Sequence, residues 1–149
     1  IGLMAVNGEP FVIEYNVRLG DPETESVLPR IENDLVELFA AVANQTLNTI
    51  TLSVSSKTAA TIVLVAGGYP GNYLKGRTIS GMDNVRDSIV FQAATEFDNG
   101  LIKTAGGRVL AITSLQDSLF DAVQQATADA GRIYFAARYF RTDIGFDLL

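Results

Sequence analysis

A polar stretch at residues 44–58 divides the chain into two parts that follow different rules. It runs from Asn44-Gln-Thr-Leu-Asn-Thr49 to Ser55-Ser-Lys-Thr58 and is rich in Thr, Ser and Asn. Before it, an Asn-Gly turn signal sits between apolar runs and is followed by helical periodicity. After it come short strand-like runs separated by Gly-rich turns. The break is the natural domain boundary, with residues 1–48 on one side and 49–149 on the other. The expected class is α+β.

In the first part, residues 1–6 and 11–17 read as strands joined by Asn7-Gly8-Glu9-Pro10. The second of these carries the densest chemistry in the sequence, Val12-Ile-Glu-Tyr-Asn-Val-Arg-Leu-Gly-Asp-Pro-Glu23. Alternate residues of an extended chain point the same way. Glu14, Asn16 and Arg18 are therefore expected on one face, with Ile13, Tyr15 and Val17 on the other. Gly20 then breaks the strand, and Asp21 and Glu23 add two carboxylates. Asp21-Pro22 suits a helix start, with a short helical segment to about Ile31. A second helix is predicted from Asp34 to about Ala43, with Leu35, Leu38, Phe39 and Val42 as its apolar face.

In the second part, Ala59–Ala66 reads as a buried strand and Gly67–Gly76 as a turn-rich loop. Arg77–Ile79, Ser88–Ala93, Leu101–Thr104 and Arg108–Thr113 are further strand candidates. Ser114 is expected to open the clearest helix, with Asp117 in the capping-box position. Its stripe is Leu115, Leu119, Ala122, Val123, Ala126 and Ala130, and Gly131 is its stop. Ile133–Phe140 is predicted as a last strand. The whole reads as a strand hairpin plus helices, a polar connector, and a small β-rich domain with one packed helix.

Composition narrows the chemistry. There is no Cys and no His, which removes thiolate nucleophiles, disulfides, the commonest general base and most transition-metal sites. A metal must then be a hard cation held by oxygens. The net charge of −6 argues against a nucleic-acid backbone as partner. No apolar run approaches the roughly 20 residues of a membrane span, and no signal peptide is visible. The chain begins inside a strand-like run, Ile1-Gly-Leu-Met-Ala-Val6, as expected of a piece cut from something longer.

Glu14 and Asn16, two residues apart on a strand face, can both reach one Mg²⁺, which is typically held by one or two protein oxygens plus substrate phosphates. Arg18, one pleat further on, can face a phosphoryl group. Alternation alone favours the plainer reading, a half-exposed edge strand whose polar face is merely wet.

The longer string Val12–Glu25 closely resembles the last metal-binding strand of ATP-grasp ligases, and most nearly the glycinamide ribonucleotide synthetase (phosphoribosylamine–glycine ligase) family. That family typically reads Glu-Phe-Asn-Cys-Arg-Phe-Gly-Asp-Pro-Glu here. This chain has Tyr15, Val17 and Leu19 at the variable places. The resemblance continues in order through Asn33-Asp-Leu-Val-Glu37, Ala66-Gly-Gly-Tyr-Pro-Gly-Asn-Tyr-Leu-Lys-Gly76, Gly106-Gly-Arg-Val-Leu110 and Tyr139-Phe-Arg-Thr-Asp-Ile-Gly145. It departs at Gln92-Ala-Ala-Thr95, where the family often has His-Ala-Gly-Thr.

The resemblance implies a cytoplasmic ligase of purine synthesis that joins glycine to 5-phosphoribosylamine. ATP would phosphorylate the glycine carboxylate, and the amine would attack the acyl phosphate. It implies Glu14 and Asn16 as ligands of Mg²⁺ (or Mn²⁺), Arg18 as the catalytic residue near the acyl phosphate, and Asp21 and Glu23 near the glycine or phosphoribosylamine. It implies that residues 1–48 close an ATP-grasp domain and that 49–149 form a barrel-sandwich-like C-terminal domain. The parent is expected to be a monomer, and the piece alone to be inactive and able to self-associate through its exposed sheet edge. Another ATP-grasp ligase or carboxylase is the neighbouring reading. A non-catalytic β module related to biotinyl carriers is the third, weakened by the lack of a Met-Lys-Met tripeptide.

Outside that strand, the Gly67–Gly76 loop lacks Walker spacing and reads as a structural turn, with Lys75 as an exposed cation. Tyr69 and Tyr73 read as packing residues. Arg138 and Arg141 are expected in salt bridges or against the other domain, and Asp143 as a turn anchor. Asp83, Asp87, Glu96 and Asp98 read as solvated loop charge.

Overall fold

A computed structural model describes residues 1–20 and 22–148. Its centre is a four-stranded antiparallel sheet in the order β4-β7-β3-β8, with β3 spanning Thr58–Ala66, β4 Ser88–Gln92, β7 Arg108–Gln116 and β8 Arg138–Tyr139. β3 alternates strictly, burying Ala60, Ile62, Leu64 and Ala66. Ile62 and Leu64 pair with Ile112 and Leu110 of β7. The helix α3 (Leu119–Arg132) packs on these side chains through Ala126 and Ala130, and Ile79, Ile133 and Phe135 close the core. Small alanines let the helix approach the sheet closely, and each buried aliphatic side chain stabilises the fold by about 1.5–3 kcal/mol.

Two hairpins stand apart from this sheet. β1 (Gly2–Val6) pairs with β2 (Glu9–Glu14), and β5 (Thr95–Asp98) with β6 (Leu101–Thr104). Both turn through an Asn-Gly pair at positive φ, Asn7-Gly8 at 52° and 86° and Asn99-Gly100 at 50° and 80°. This is the left-handed geometry that a two-residue hairpin needs and that Asn and Gly tolerate. The β1–β2 hairpin is exposed on both faces, with Leu3, Met4, Phe11, Val12 and Ile13 all open to solvent.

Between the hairpin and the sheet lie α1 (Thr24–Val27), a 3-10 turn at Leu28–Arg30, and α2 (Leu35–Ala43). As predicted, Asp34 caps α2, accepting from Val36 N at 2.7 Å and Glu37 N at 3.3 Å. Phe39 and Val42, expected on its buried face, are exposed, whereas Leu35 and Leu38 are half-buried. The polar connector does not hang free. It runs antiparallel to residues 30–33, with Glu32 N donating to Ser53 O and Ser55 N to Arg30 O.

Four sequence expectations change. β7 continues to Gln116, so the helix begins at Leu119 and not at Ser114. Its cap is Ser118, which accepts from Asp121 N at 3.1 Å and donates to Asp121 Oδ2 at 2.7 Å. β5 was not foreseen. Arg77–Ile79 is extended and hydrogen-bonds to β6, but forms only single bridges, at Thr78–Lys103 and Ser80–Tyr134. The predicted strand 133–140 shrinks to Arg138–Tyr139, because Ala137 turns the chain at φ 59°. Among the described residues no helix is long and apolar enough to cross a membrane.

Candidate functional site

Glu14 is the last residue of β2, and the chain leaves the strand immediately after it. Asn16 remains beside Glu14, its Nδ2 donating to Glu14 Oε1 at 3.0 Å. The expected three-residue row therefore holds for its first two members only. Arg18 turns back on its own chain and donates from Nη1 to Leu19 O at 3.0 Å. Tyr15 and Val17 are exposed rather than packed.

Glu14 and Asn16 present a carboxylate and an amide carbonyl, both hard oxygens and both open to solvent. That donor set fits Mg²⁺ or Mn²⁺, which accept few protein ligands when phosphate oxygens complete the sphere. Among the described residues no cluster of three or more acidic, His or Cys side chains is poised for a metal. A cation here would thus depend on oxygens from outside the pair.

The Gly20 turn has its own logic. The Glu23 carboxylate folds back and accepts from Gly20 N at 2.6 Å, while Thr24 Oγ1 donates to Gly20 O at 3.3 Å. A Cβ at position 20 would collide with the Glu23 carboxylate, so only glycine permits this closure. Glu23 is thereby held against the backbone of the strand that carries Glu14. Asp21, the other predicted substrate residue, lies outside the described residues.

A chain of hydroxyls ties this turn to the central sheet. Ser26 Oγ of α1 lies 2.7 Å from Thr61 Oγ1, which lies 2.8 Å from Thr113 Oγ1, and Thr113 in turn donates to Glu25 O at 3.0 Å. Thr113 is fully buried. These three hydroxyls were not singled out in the sequence. The visible signal was a Thr in mid-strand on both β3 and β7, where an aliphatic residue would otherwise be expected.

The C-terminal part of the chain matches the model of the phosphoribosylglycinamide synthetase C domain over residues 59–147. The chain belongs to this family. It is 40% identical over 97% of its length to the phosphoribosylamine–glycine ligase of Fusobacterium nucleatum, of which it covers 35%. It is 44% identical to that of Pasteurella multocida over 97% of the chain, covering 34% of that protein. The crystal structure of the phosphoribosylamine–glycine ligase of Thermotoga maritima superposes on it with a TM-score of 0.77 at 31% identity, over 95% of this chain and 35% of that one. The chain thus spans about a third of the length of the curated relatives it matches. The family accounts for the mixed α/β layout, with sheets and few helices.

Several of the remaining predicted residues have structural partners. Tyr69 and Tyr73 meet edge to face at 5.9 Å. Lys75 is exposed. Asp98 is not simply solvated, because Lys103 Nζ lies 2.5 Å away. Arg141 grips Asp143 in a fork, Nε to Oδ1 and Nη2 to Oδ2, both at 2.8 Å. That side-chain bond holds the Asp143 pKa below the usual carboxylate range. Arg138 caps the end of α3, donating to Ala130 O at 2.9 Å and also to Ile133 O, with its guanidinium 5.1 Å from the Phe140 ring centre.

Sequence reasoning missed Asp129. Its carboxylate is wholly buried and accepts from Arg86 N, Asp87 N, Gln125 Nε2 at 2.8 Å and Arg132 Nη1 at 2.6 Å. Burial pushes its pKa up, but its hydrogen bonds, that of Gln125 foremost, together hold it below the usual value. The signal was its position one heptad after Ala122, inside the apolar stripe of α3.

Proposed function

We propose that this chain forms the C-terminal part of an ATP-dependent ligase that joins glycine to 5-phosphoribosylamine through glycyl phosphate, giving glycinamide ribonucleotide, ADP and phosphate. The observation that carries the reading is the identity of about 40% to phosphoribosylamine–glycine ligases across 97% of the chain. In this reading residues 1–48 close an ATP-grasp catalytic domain, and residues 49–149 are the barrel-sandwich-like synthetase domain. The α1 segment of the first packs on the sheet of the second.

Glu14 and Asn16 would hold Mg²⁺ or Mn²⁺, which when bound neutralises charge on the ATP phosphates. The 3.0 Å bond from Asn16 Nδ2 to Glu14 Oε1 supports this by keeping the two side chains adjacent at the end of the strand. Arg18, always protonated, would swing from Leu19 O to the acyl phosphate and stabilise its negative charge. Glu23, steadied by Gly20 N, would orient the attacking amine with Asp21. An acyl phosphate is already an activated electrophile, so the lack of His is no obstacle. The adenine pocket and the remaining phosphate contacts belong to the two-thirds of the relatives' length that this chain does not cover. We read the parent as a cytoplasmic monomer, with the open hairpin edge able to pair with a second copy of this chain.

The test is a chimera in which this chain replaces the matching third of the Fusobacterium nucleatum ligase. ADP release should require both glycine and phosphoribosylamine. In the same chimera Glu14→Gln should lower kcat by roughly a hundredfold or more, as expected when a charge-stabilising group is lost, and should raise the metal concentration needed for half-maximal rate. A folded chimera that accepts another amino acid in place of glycine would overturn the substrate assignment.

A further inference from the structure

Thr61 of β3 and Thr113 of β7 stand opposite each other in register, on the side of the sheet away from α3. The next pair on that side is Val63 and Ala111, so packing alone calls for an aliphatic pair here. Thr113 is shut off from solvent, and a buried hydroxyl is costly unless it is bonded. Its bond fixes the order of the whole network, because a hydroxyl has one proton. That of Thr113 goes to Glu25 O, so Thr113 accepts from Thr61, and Thr61 accepts from Ser26. The donors run one way, out of α1 at Ser26, across both strands, and back into α1 at Glu25 O.

The chain of hydroxyls closes on the helix that frames the Gly20 turn. Glu23 O accepts from Ser26 N at 3.0 Å and Val27 N at 2.9 Å, and Thr24 Oγ1 donates to Gly20 O at 3.3 Å. The Glu23 carboxylate accepts from Gly20 N in turn. The place of that carboxylate is thus set by two strands 35 and 88 positions away in sequence. We propose that Thr61 and Thr113 are positioning residues for the reaction, fixing α1 against the central sheet so that Glu23 stays in place for the attacking amine. The proposal rests on the ligase reading above and gives the second part of the chain a share in setting the geometry of the site. Neither threonine needs to touch a substrate.

The tie can be read on this chain by amide hydrogen exchange, and its purpose in the chimera described above. Thr113→Val keeps the shape and the β-branch but removes the hydroxyl. Exchange at Ser26 and Val27 should speed up about tenfold, the worth of one hydrogen bond, and Thr113→Ser should restore it. In the chimera, kcat/KM for phosphoribosylamine should fall about tenfold in Thr61→Val and in Thr113→Val, with KM for ATP held within about twofold, because the tie reaches Glu23 and not Glu14 or Asn16. The double variant should lose less than the product of the two, since both single variants break the same bond between the threonines. Thr104→Val removes an equally buried hydroxyl, one that accepts from Arg77 N at 3.1 Å outside this chain of hydroxyls, and should leave both constants unchanged. If Thr113→Val does not fold, Thr61→Val, at a half-buried position, carries the same test. Equal changes in the two constants, an equal loss in Thr104→Val, no recovery in Thr113→Ser, or unchanged exchange at Ser26 and Val27 would each overturn the proposal. Faster exchange there, together with a folded chimera that does not condense glycine with phosphoribosylamine, would sink the ligase reading and leave the tie between α1 and the sheet standing.

Discussion

Asp129 is the residue on which the packing of α3 against the loop before β4 most depends. Four donors converge on a carboxylate with no solvent exposure, two of them backbone N–H groups of Arg86 and Asp87. Replacing it with Asn keeps the size but removes the charge and one acceptor oxygen. The expected loss at neutral pH is about 1–3 kcal/mol, the cost of leaving buried donors poorly paired. The sign of the pH effect follows from the depressed pKa. The folded state holds the proton less tightly than the unfolded chain, whose Asp titrates near 3.9. The contribution of Asp129 is therefore complete above that value and disappears as pH falls through the folded-state pKa. Denaturant unfolding of the wild type and of Asp129→Asn should show a stability gap that is constant from pH 7 to about 5 and closes in acid below the unfolded value. A gap that persists unchanged in acid would show that Asp129 does not act through its charge.

At the level of elements, local chemistry was legible and tertiary override was not. The Asn7-Gly8 hairpin and the Asp34 cap follow from residues adjacent in sequence, and both are present. The helix start shows why the rest was hidden. Ser114-x-x-Asp117 and Ser118-x-x-Asp121 carry the same capping pattern. What decides between them is pairing of β7 with β3 from Arg108 to Gln116, which buries Ser114 as a strand residue. That pairing joins residues about fifty positions apart and leaves no local trace. Ser118→Ala should thus lower stability by about 1 kcal/mol through loss of the cap, measured by thermal or urea unfolding. Asp117→Ala, at the position the sequence pattern favoured, should fall within about 0.5 kcal/mol of wild type. β5 was missed for a related reason, since Thr95–Asp98 offers Phe97 as its only large apolar residue. The site was legible as a string of residues, but its geometry was not. Alternation carried Glu14 and Asn16 to one side and failed at Arg18, because the strand ends four residues earlier.

The molecule as a whole divides by stability rather than at a single point in sequence. The central sheet and α3 share one core, the connector is hydrogen-bonded to residues 30–33, and α1 is fastened to the sheet by hydroxyls. The β1–β2 hairpin has no such support. Its large apolar side chains Leu3, Met4, Phe11, Val12 and Ile13 are each at least half exposed, and no strand among the described residues extends its sheet. A lone two-stranded hairpin is marginal in water, and an open apolar edge invites pairing with another copy. Amide exchange should therefore be fast across Gly2–Glu14 and slowest in β3 and β7, whose opening requires loss of the shared core. Sedimentation of this chain should show association that grows with concentration. The double variant Met4→Lys with Val12→Lys, which places one charge on each face of the hairpin, should shift it to monomer. The thermal midpoint of the central sheet should stay where it was, because neither side chain belongs to its core. Retained association in the charged variant would move the contact away from the hairpin, to the exposed Phe39 and Val42 of α2. A wild-type chain that stays monomeric at every concentration would mean that the hairpin tolerates its own exposure.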